Sequence, residues 1–558
     1  MLRISAPSRD PSARYLRWRD AKRDADRPRS EAYVHRVGAH AGGVTLAVLL
    51  AVARSLERGR VEHFLIDRAR SGSRLGAPMS SLPDILEVLR NLGHRMPIRL
   101  EAHDSKGAVL WSGFAVGLST VPPETTQVLC FVSVVDPISG LQLGRQEGCT
   151  LEFWKRTRMR GLAAPVKNRR TAEVAQADRV AGIDVSVDGC PVRTIPPFSL
   201  PDPDDIEFPI DAVVLWVDGS DPEWQKRREQ RKRELGLPPD DPGNVDKLFR
   251  THGELRYLFR SIERYAPWLR HIYLVTAGQR PPWLVTSHPR LRLVDHEDFI
   301  PRTALPVFSS RPIIASLHRI DELAEHYLMF NDDVVLGQMV RPQQFFTSGG
   351  LTKYFPSRST IPRERSDIPH LGARQVVAGL LAERYGVWPT RTFWHAPHAM
   401  RRRTMEAIED WFGDHLNATI HRPFRSPDDV VTEWLHHYVG QLEGWAIRGR
   451  VSYAYHQVGS IDAVDRLDAH LTDRRDVIGL NDSGDIDLHA DEIATRLTAF
   501  LDRFLPLPSS FERDADEHST LPIGDGEAVA PKIMFDGGAR GEWRLPNAWR
   551  SLVRLGRR

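Results

Sequence analysis

The spacing of apolar residues divides the chain into regions. Between residues 33 and 160, runs of helical and strand type alternate. Val44 to Leu56 and Ile85 to Leu92 predict helices; His63 to Ile66, Gln127 to Val135 and Leu151 to Trp154 predict strands. Together they predict a small α+β domain over residues 31–165. Pro191, Pro196, Pro197, Pro201, Pro203 and Pro209 then crowd beside Asp202, Asp204 and Asp205. Repeated proline removes backbone donors, so residues 166–209 are expected to be a linker. From 210 to 505 the alternation is that of an α/β domain. Val213 to Val217, Ile272 to Val275, Leu291 to Val294 and Tyr327 to Phe330 are continuous apolar runs, and Leu255, Leu258, Phe259 and Ile262 fall at helical spacing. This predicts a doubly wound, mainly parallel, Rossmann-like sheet, which binds ligands at the carboxyl ends of its strands. Residues 1–30 are Arg-rich and proline-dotted and are expected to be a flexible basic arm.

Composition narrows the class. The chain has 558 residues, 41% hydrophobic and 27% charged, with a formal net charge of +3. That balance is ordinary for a globular protein and gives no case for nucleic-acid binding. Cys130, Cys149 and Cys190 match no metal or redox spacing and are expected to be reduced. The first residues carry no apolar stretch behind their charges. The longest apolar run, Val44 to Ala53, falls short of the ~20 residues of a membrane span. A cytoplasmic location is expected. In residues 506–558, Trp543 and Trp549 mix with Arg544, Arg550 and Arg554. Such a basic tail can lie peripherally on an anionic membrane, pack on the protein or stay solvated.

Four constellations carry candidate chemistry. In the first, the strand ending at Val217 runs into Asp218-Gly219-Ser220-Asp221, preceded by Trp216. Its two carboxylates can face one ligand or metal ion, although Asp-Gly after a strand is as often a plain turn. In the second, the strand Tyr327 to Phe330 runs into Asn331-Asp332-Asp333. Adjacent carboxylates repel unless a cation offsets them, and hard divalent ions take such oxygens together with substrate phosphates; the alternative is a solvated pair. In the third, His395 and His398 flank Pro397, and an imidazole can take a proton from an attacking hydroxyl or serve structure alone. In the fourth, Arg425-Ser426-Pro427 predicts a helix capped by Ser426. Arg425 then sits at an anion-favouring helix N-terminus, or pairs with Asp428 or Asp429.

Occurring in this order, the blocks IDAVVLWVDGSDPEW (210–224), THGELRYLFRSIERYAPWLRHIYLVTAGQRPPWL (251–284) continuing through LHRIDELAEHYLMFNDDVVLG (317–337), HAPHAMRR (395–402) through HRPFRSPDD (421–429), and DVIGLNDSGDID (476–487) resemble the Stealth family. The front region is similar to the family's actinobacterial exopolysaccharide type. The family includes bacterial capsule and exopolysaccharide phosphotransferases and the animal enzyme that marks lysosomal glycoproteins with N-acetylglucosamine-1-phosphate. The resemblance implies transfer of a hexose-1-phosphate from a nucleotide-sugar, UDP-linked by analogy, to a glycan hydroxyl. It implies that Asp218, Asp332 and Asp333 hold Mg²⁺ or Mn²⁺. Trp216, Asp218, Gly219, Ser220, Asp221, Arg256, His318, Arg319, Asn331, His398, Asn481 and Asp482 would bind substrate, and His395, Arg425 and Asp333 would be catalytic. One departure stands out: Ala315 falls where family members commonly carry a glutamate. Two other readings compete, a glycosyltransferase that moves the sugar without its phosphate and a catalytically impaired glycan-binding relative.

Overall fold

The run from Ile210 is broken only by Asp211, yet it forms a strand buried along its whole length. The Asp211 carboxylate is satisfied by Arg270 (2.9 and 2.6 Å) and by the main-chain N–H groups of His271 and Ala324, so burial leaves no unmet acceptor. A computed structural model describes residues 32–34, 41–67, 73–132, 134–135, 142–145, 147–168, 170–187, 190–200, 202–238, 243, 245–481, 490–513 and 533–535. The chain divides into two units, residues 1–202 with 506–508 and 514–558, and residues 203–505 with 509–513.

In the second unit, β1 (Ile210–Leu215), α1 (Pro222–Glu234), α2 (Glu254–Tyr265), β2 (Ile272–Thr276), β3 (Leu291–Asp295), α3 (Ser310–Ser316), β4 (His326–Asn331) and β5 (Val334–Leu336) lead to α4 (Pro369–Tyr385). Then follow β6 (His398–Arg401), α5 (Arg402–Ile420), α6 (Thr432–Leu442), β7 (Tyr453–Gln457), β8 (Val477–Asn481) and α7 (Ala490–Phe504). The main sheet has the order β3-β2-β1-β4-β6. Its first four strands are mutually parallel, and β6 closes one edge antiparallel to β4. Alternate residues serve opposite faces, as strand geometry requires. Ala212, Val214, Leu274, Leu328 and Phe330 join one apolar cluster with α2 and α7. Val213, Leu215, Val275, Tyr327 and Met329 join another with α3, α4, α5 and α6. The sheet is therefore doubly wound, as its apolar runs predict. Strand order reverses between β1 and β4, so the crevice past their carboxyl ends is the expected ligand position. A smaller sheet, β5-β8-β7, borders this region.

The first unit carries an eight-stranded mixed sheet with helices Ala41–Arg58 and Leu82–Gly93. The strands Ser73–Pro78, Ile98–His103 and Val109–Phe114 join those expected from the pattern. The segment read as a linker is built into this unit. Ile183–Val187 and Cys190–Thr194 form a hairpin in which Cys190, Val192 and Thr194 alternate inward, and Ile195 and Phe198 are buried beyond it. Strand alternation there outweighs the proline content, because the prolines fall on exposed or terminal positions. All three cysteines are buried and free. Among the described residues no helix is long and apolar enough to cross a membrane. The basic arm of residues 1–30 and nearly all of the C-terminal tail lie outside the described residues.

Candidate active site

Past β1 the chain turns at once into α1. The Asp221 carboxylate caps this helix by accepting from the Glu223 N–H at 3.0 Å. Gln279, buried behind the loop, donates to Asp221 Oδ2 and to the Asp218 carbonyl and accepts from the Asp218 N–H, all within 3.0 Å. The Gln279 bond, reinforced by backbone donors, holds the Asp221 carboxyl below its ordinary range. Asp218 Oδ1 accepts from the Ser220 N–H and hydroxyl at 2.9 and 2.6 Å. Gly219 is required because a Cβ there would lie 2.3 Å from the Phe249 carbonyl oxygen. Trp216 packs on the core beneath.

Past β4 the chain returns in β5 and no helix follows to be capped. Here the sequence-predicted residues converge. His398 lies opposite Met329 in the β4–β6 register, so His395, three residues earlier, reaches the carboxyl end of β4. His395 Nε2 contacts both Asp333 oxygens at 2.8 and 2.9 Å, while Nδ1 lies 3.4 Å from Asn331 Nδ2. Burial alone would lower this imidazole, but the Asp333 charge and hydrogen bond outweigh it and hold it above its ordinary value. Gly479 of β8 approaches the ring: a Cβ would meet its Cδ2 at 3.3 Å. Tyr455 of β7 packs edge-on at 6.1 Å, and its phenol is hydrogen-bonded to Gln457 and Asn481. The Leu480 N–H donates to the Asp333 carbonyl at 2.8 Å, tying β8 to the loop. Burial, then the charges of Asp333 and Glu254, push the Asp332 carboxyl well above the usual range. Glu254, on α2, is raised by burial with Asp333 contributing. Nothing in the pattern around Glu254 distinguishes it from an ordinary first-turn helix acid.

A cationic group adjoins this acidic one. The expected helix at Ser426 does not form. Ser426 Oγ instead accepts from the Asp428 N–H and Asp429 accepts from the Ser426 N–H, closing a turn, and the Val430 N–H goes to Thr419 Oγ1. Helix α6 begins only at Thr432. Arg425 is therefore not at a helix N-terminus; its neighbours are Arg311 of α3, His370 of α4 and Glu433 of α6. Burial and then the Arg311 charge bring Arg425 down to about 10, and the same two causes lower Arg374 of α4. Arg311 lies 3.4 Å from Glu433, and Arg374 sits over the Trp434 ring. Among the described residues neither Arg374 nor Arg425 forms an ion pair with a carboxylate. The two groups touch electrically, Glu433 acting on His395 and Arg374 on Tyr455.

Stealth protein conserved regions 1, 2, 3 and 4 match residues 208–236, 248–354, 394–439 and 468–522. An exopolysaccharide phosphotransferase of Streptomyces coelicolor is 38% identical over 68% of this chain and 66% of its own length. The exopolysaccharide phosphotransferase CpsY of Mycobacterium leprae is 32% identical over 70% of this chain and 74% of its own. The chain belongs to the Stealth family. The galactosyltransferase LgtC aligns at 11% identity over 56% of this chain and 97% of its own, with a TM-score of 0.27. Asp333, His395 and Arg425 fall inside Stealth regions, as do Glu254 and Arg311. Arg374, His370 and Tyr455 fall between them and carry no motif.

Several expected site residues have other surroundings. Arg256 of α2 lies over Trp283 and 3.7 Å from Glu512; Glu254, two residues earlier, is the α2 residue coupled to the acid pair. His318 Nε2 lies 2.7 Å from Glu409, which also pairs with Arg319. Arg402, just past the end of β6, donates to the His318 carbonyl. Since β6 is antiparallel to β4, this puts His318 and Arg319 at the amino end of β4, away from the acid pair. His398 is buried, its Nδ1 2.9 Å from His437 Nε2, and burial lowers it to about 3. Among the described residues no three metal-binding side chains are gathered as a preformed metal site, and the Asp218 carboxylate is held by Ser220. Ala315 is wholly buried in the apolar cluster on which α3 packs, where a methyl fits the core and a carboxylate would be desolvated. Asn481 ends β8 beside Tyr455; Asp482 lies outside the described residues.

Proposed function

We propose that this chain transfers a hexose-1-phosphate from a UDP-linked sugar to a hydroxyl of a glycan acceptor in exopolysaccharide synthesis. The observation that carries this reading is a paired His395 and Asp333 at the carboxyl end of β4, with three arginines alongside. Asp333 accepts the Nε2 proton of His395, so Nδ1, which Asn331 Nδ2 approaches at 3.4 Å, is the nitrogen that takes the acceptor hydroxyl's proton when the hydroxyl displaces that long contact. The acceptor oxygen then bonds to the phosphorus that carries the sugar. The phosphoanhydride bond breaks, and uridine monophosphate leaves with the electron pair. Both reactants surround phosphorus with negative charge, so Arg311, Arg374 and Arg425 serve by holding the diphosphate oxygens. Asp332 and Asp333, crowded with Glu254, fit a hard divalent cation that needs only one or two carboxylates besides phosphates and water. Mg²⁺ or Mn²⁺ bound there would offset phosphate charge.

A nucleotide-sugar panel with Mg²⁺ and glycan acceptors tests the reading. Monophosphate release and a phosphodiester signal in phosphorus NMR of the product are expected. Diphosphate release would mean transfer of the sugar alone, and nucleotide-sugar binding without turnover over the whole panel would mean an impaired, glycan-binding relative.

A further inference from the structure

Immediately before His395, the ring of Trp394 belongs to a second feature. It stacks on Tyr453 at 4.8 Å and 11°, and runs nearly parallel to Phe355 at 6.1 Å and 15°. The rings of Trp394 and Phe355 border a cavity of about 530 Å³, lined also by Val451, Arg448 and Arg450. One lining residue, Trp394, immediately precedes His395 in the chain. Tyr453 and Tyr455 share one face of β7, the first stacked on Trp394 and the second packed against His395. The Tyr453 phenol is also hydrogen-bonded to the main chain of His395.

The local backbone is built to present the two arginines. The strand Ala446–Arg448 pairs with Thr352–Tyr354, and the Gly449 N–H continues the ladder to the Tyr354 carbonyl. A Cβ at Gly449 would lie 2.6 Å from the Phe355 ring, so only glycine lets the chain pass this close. Arg448 and Arg450 consequently flank the ring. Both are exposed, and among the described residues neither forms an ion pair. An aromatic shelf beside two free guanidiniums suits a sugar ring whose apolar face lies flat and whose neighbour carries an anion.

We propose that this cavity holds the end of an acceptor glycan that already carries a phosphodiester, with a pyranose on the Trp394 shelf and the phosphate on Arg448 and Arg450. This rests on the transferase reading above, whose product gains one phosphodiester per turnover. The pocket would let the protein favour its own product as the next acceptor.

Calorimetric titration of the full chain tests it, using a synthetic trisaccharide of hexoses joined by phosphodiesters and its phosphate-free counterpart. The phosphodiester form should bind about tenfold more tightly or better, as expected for charge-assisted pairing to two arginines. The Arg448→Gln/Arg450→Gln double variant should lose that preference with its affinity for the nucleotide-sugar unchanged. In turnover, the same variant should raise KM for the phosphodiester acceptor and leave kcat alone. Equal binding of the two trisaccharides by the wild type would overturn the proposal, as would a double variant that loses the nucleotide-sugar instead. Binding alone decides this pocket, whereas monophosphate release decides the transferase reading, so either can fail without the other. Arg448→Gln alone, measured in the same way, serves if the double variant does not fold.

Discussion

The turns after β1 and β4 begin alike, each an apolar strand running into two carboxylates, and are occupied differently. After β1 a helix starts immediately. Asp221 is consumed as its cap, Asp218 as an acceptor for Ser220, and Gln279 ties the turn together. After β4 the next element is a strand, with no free helix N–H groups to satisfy a carboxylate. Asp332, although it accepts from backbone N–H groups of its own turn, is crowded by Asp333 and Glu254, and Asp333 faces His395. A carboxylate whose acceptor capacity is met by backbone holds a turn. One that is buried among others of its charge calls for a proton, a cation or an imidazole, and is available for chemistry.

The largest effects should come from the β4 side. His395→Ala is expected to lose about 10²-fold or more in kcat, the usual scale of general acid–base catalysis, with nucleotide-sugar affinity nearly unchanged. Asp333→Asn should lose comparably while circular dichroism stays native. An equal loss for Asp221→Ala would erase the distinction between the two turns. Removal of divalent metal with EDTA should come next, abolishing most turnover until Mg²⁺ or Mn²⁺ is restored. Asp332→Asn should then raise the metal concentration required by on the order of tenfold, and Asp218→Asn should not. Full activity after exhaustive chelation would remove the reason for the acidic crowding. A smaller effect is expected at the cationic group. Arg425→Lys, which lacks the planar fork, should weaken nucleotide-sugar binding by about tenfold, roughly 1.4 kcal/mol, in a direct titration.

The contrast recurs between His395, held up by Asp333, and His398, packed against His437 and His436 near Arg401. Burial lowers His398 and His436 to about 3 from an ordinary 6.5. The unfolded chain therefore binds protons below pH 6.5 that the folded chain refuses. This part of the stability is complete above pH 6.5 and is lost as pH falls toward 3. Urea midpoints should decline across that window, and His398→Gln should make the decline shallower. The smallest effect is Asp221→Ala itself, which should cost about 1 kcal/mol of stability through the lost cap, read as a lower urea midpoint, with kcat close to wild type.

Much of this was legible in the linear pattern. The runs at Ile210, Ile272, Leu291 and Tyr327 are too continuously apolar for anything but strands covered on both faces, and their carboxyl ends mark where ligands bind. Asn331, Asp333, His395 and Arg425 stood out because their residue types do chemistry at recurring positions. The misplacements share one cause. His318, Arg319, Arg256 and His398 have the right side chains in the right blocks, but direction around a helix or across a strand is set by packing. Their neighbours Glu409, Trp283 and His437 lie 27 to 91 residues away. The capping reading of Ser426 failed because Thr419, on the preceding helix, draws the Val430 N–H out of helical register.

By itself, then, the order of apolar runs and acidic turns determined a doubly wound domain, the edge of the sheet that carries the site, and the residue types doing its chemistry. These depend on local spacing and strand alternation, which one chain segment contains. Tertiary structure alone decided that Glu254 joins the acid pair, that Arg311 and Arg374 join Arg425, and that Trp394 opens onto Arg448 and Arg450. Electrostatic crowding and cavity shape arise only where segments distant in sequence are brought within a few ångströms of one another.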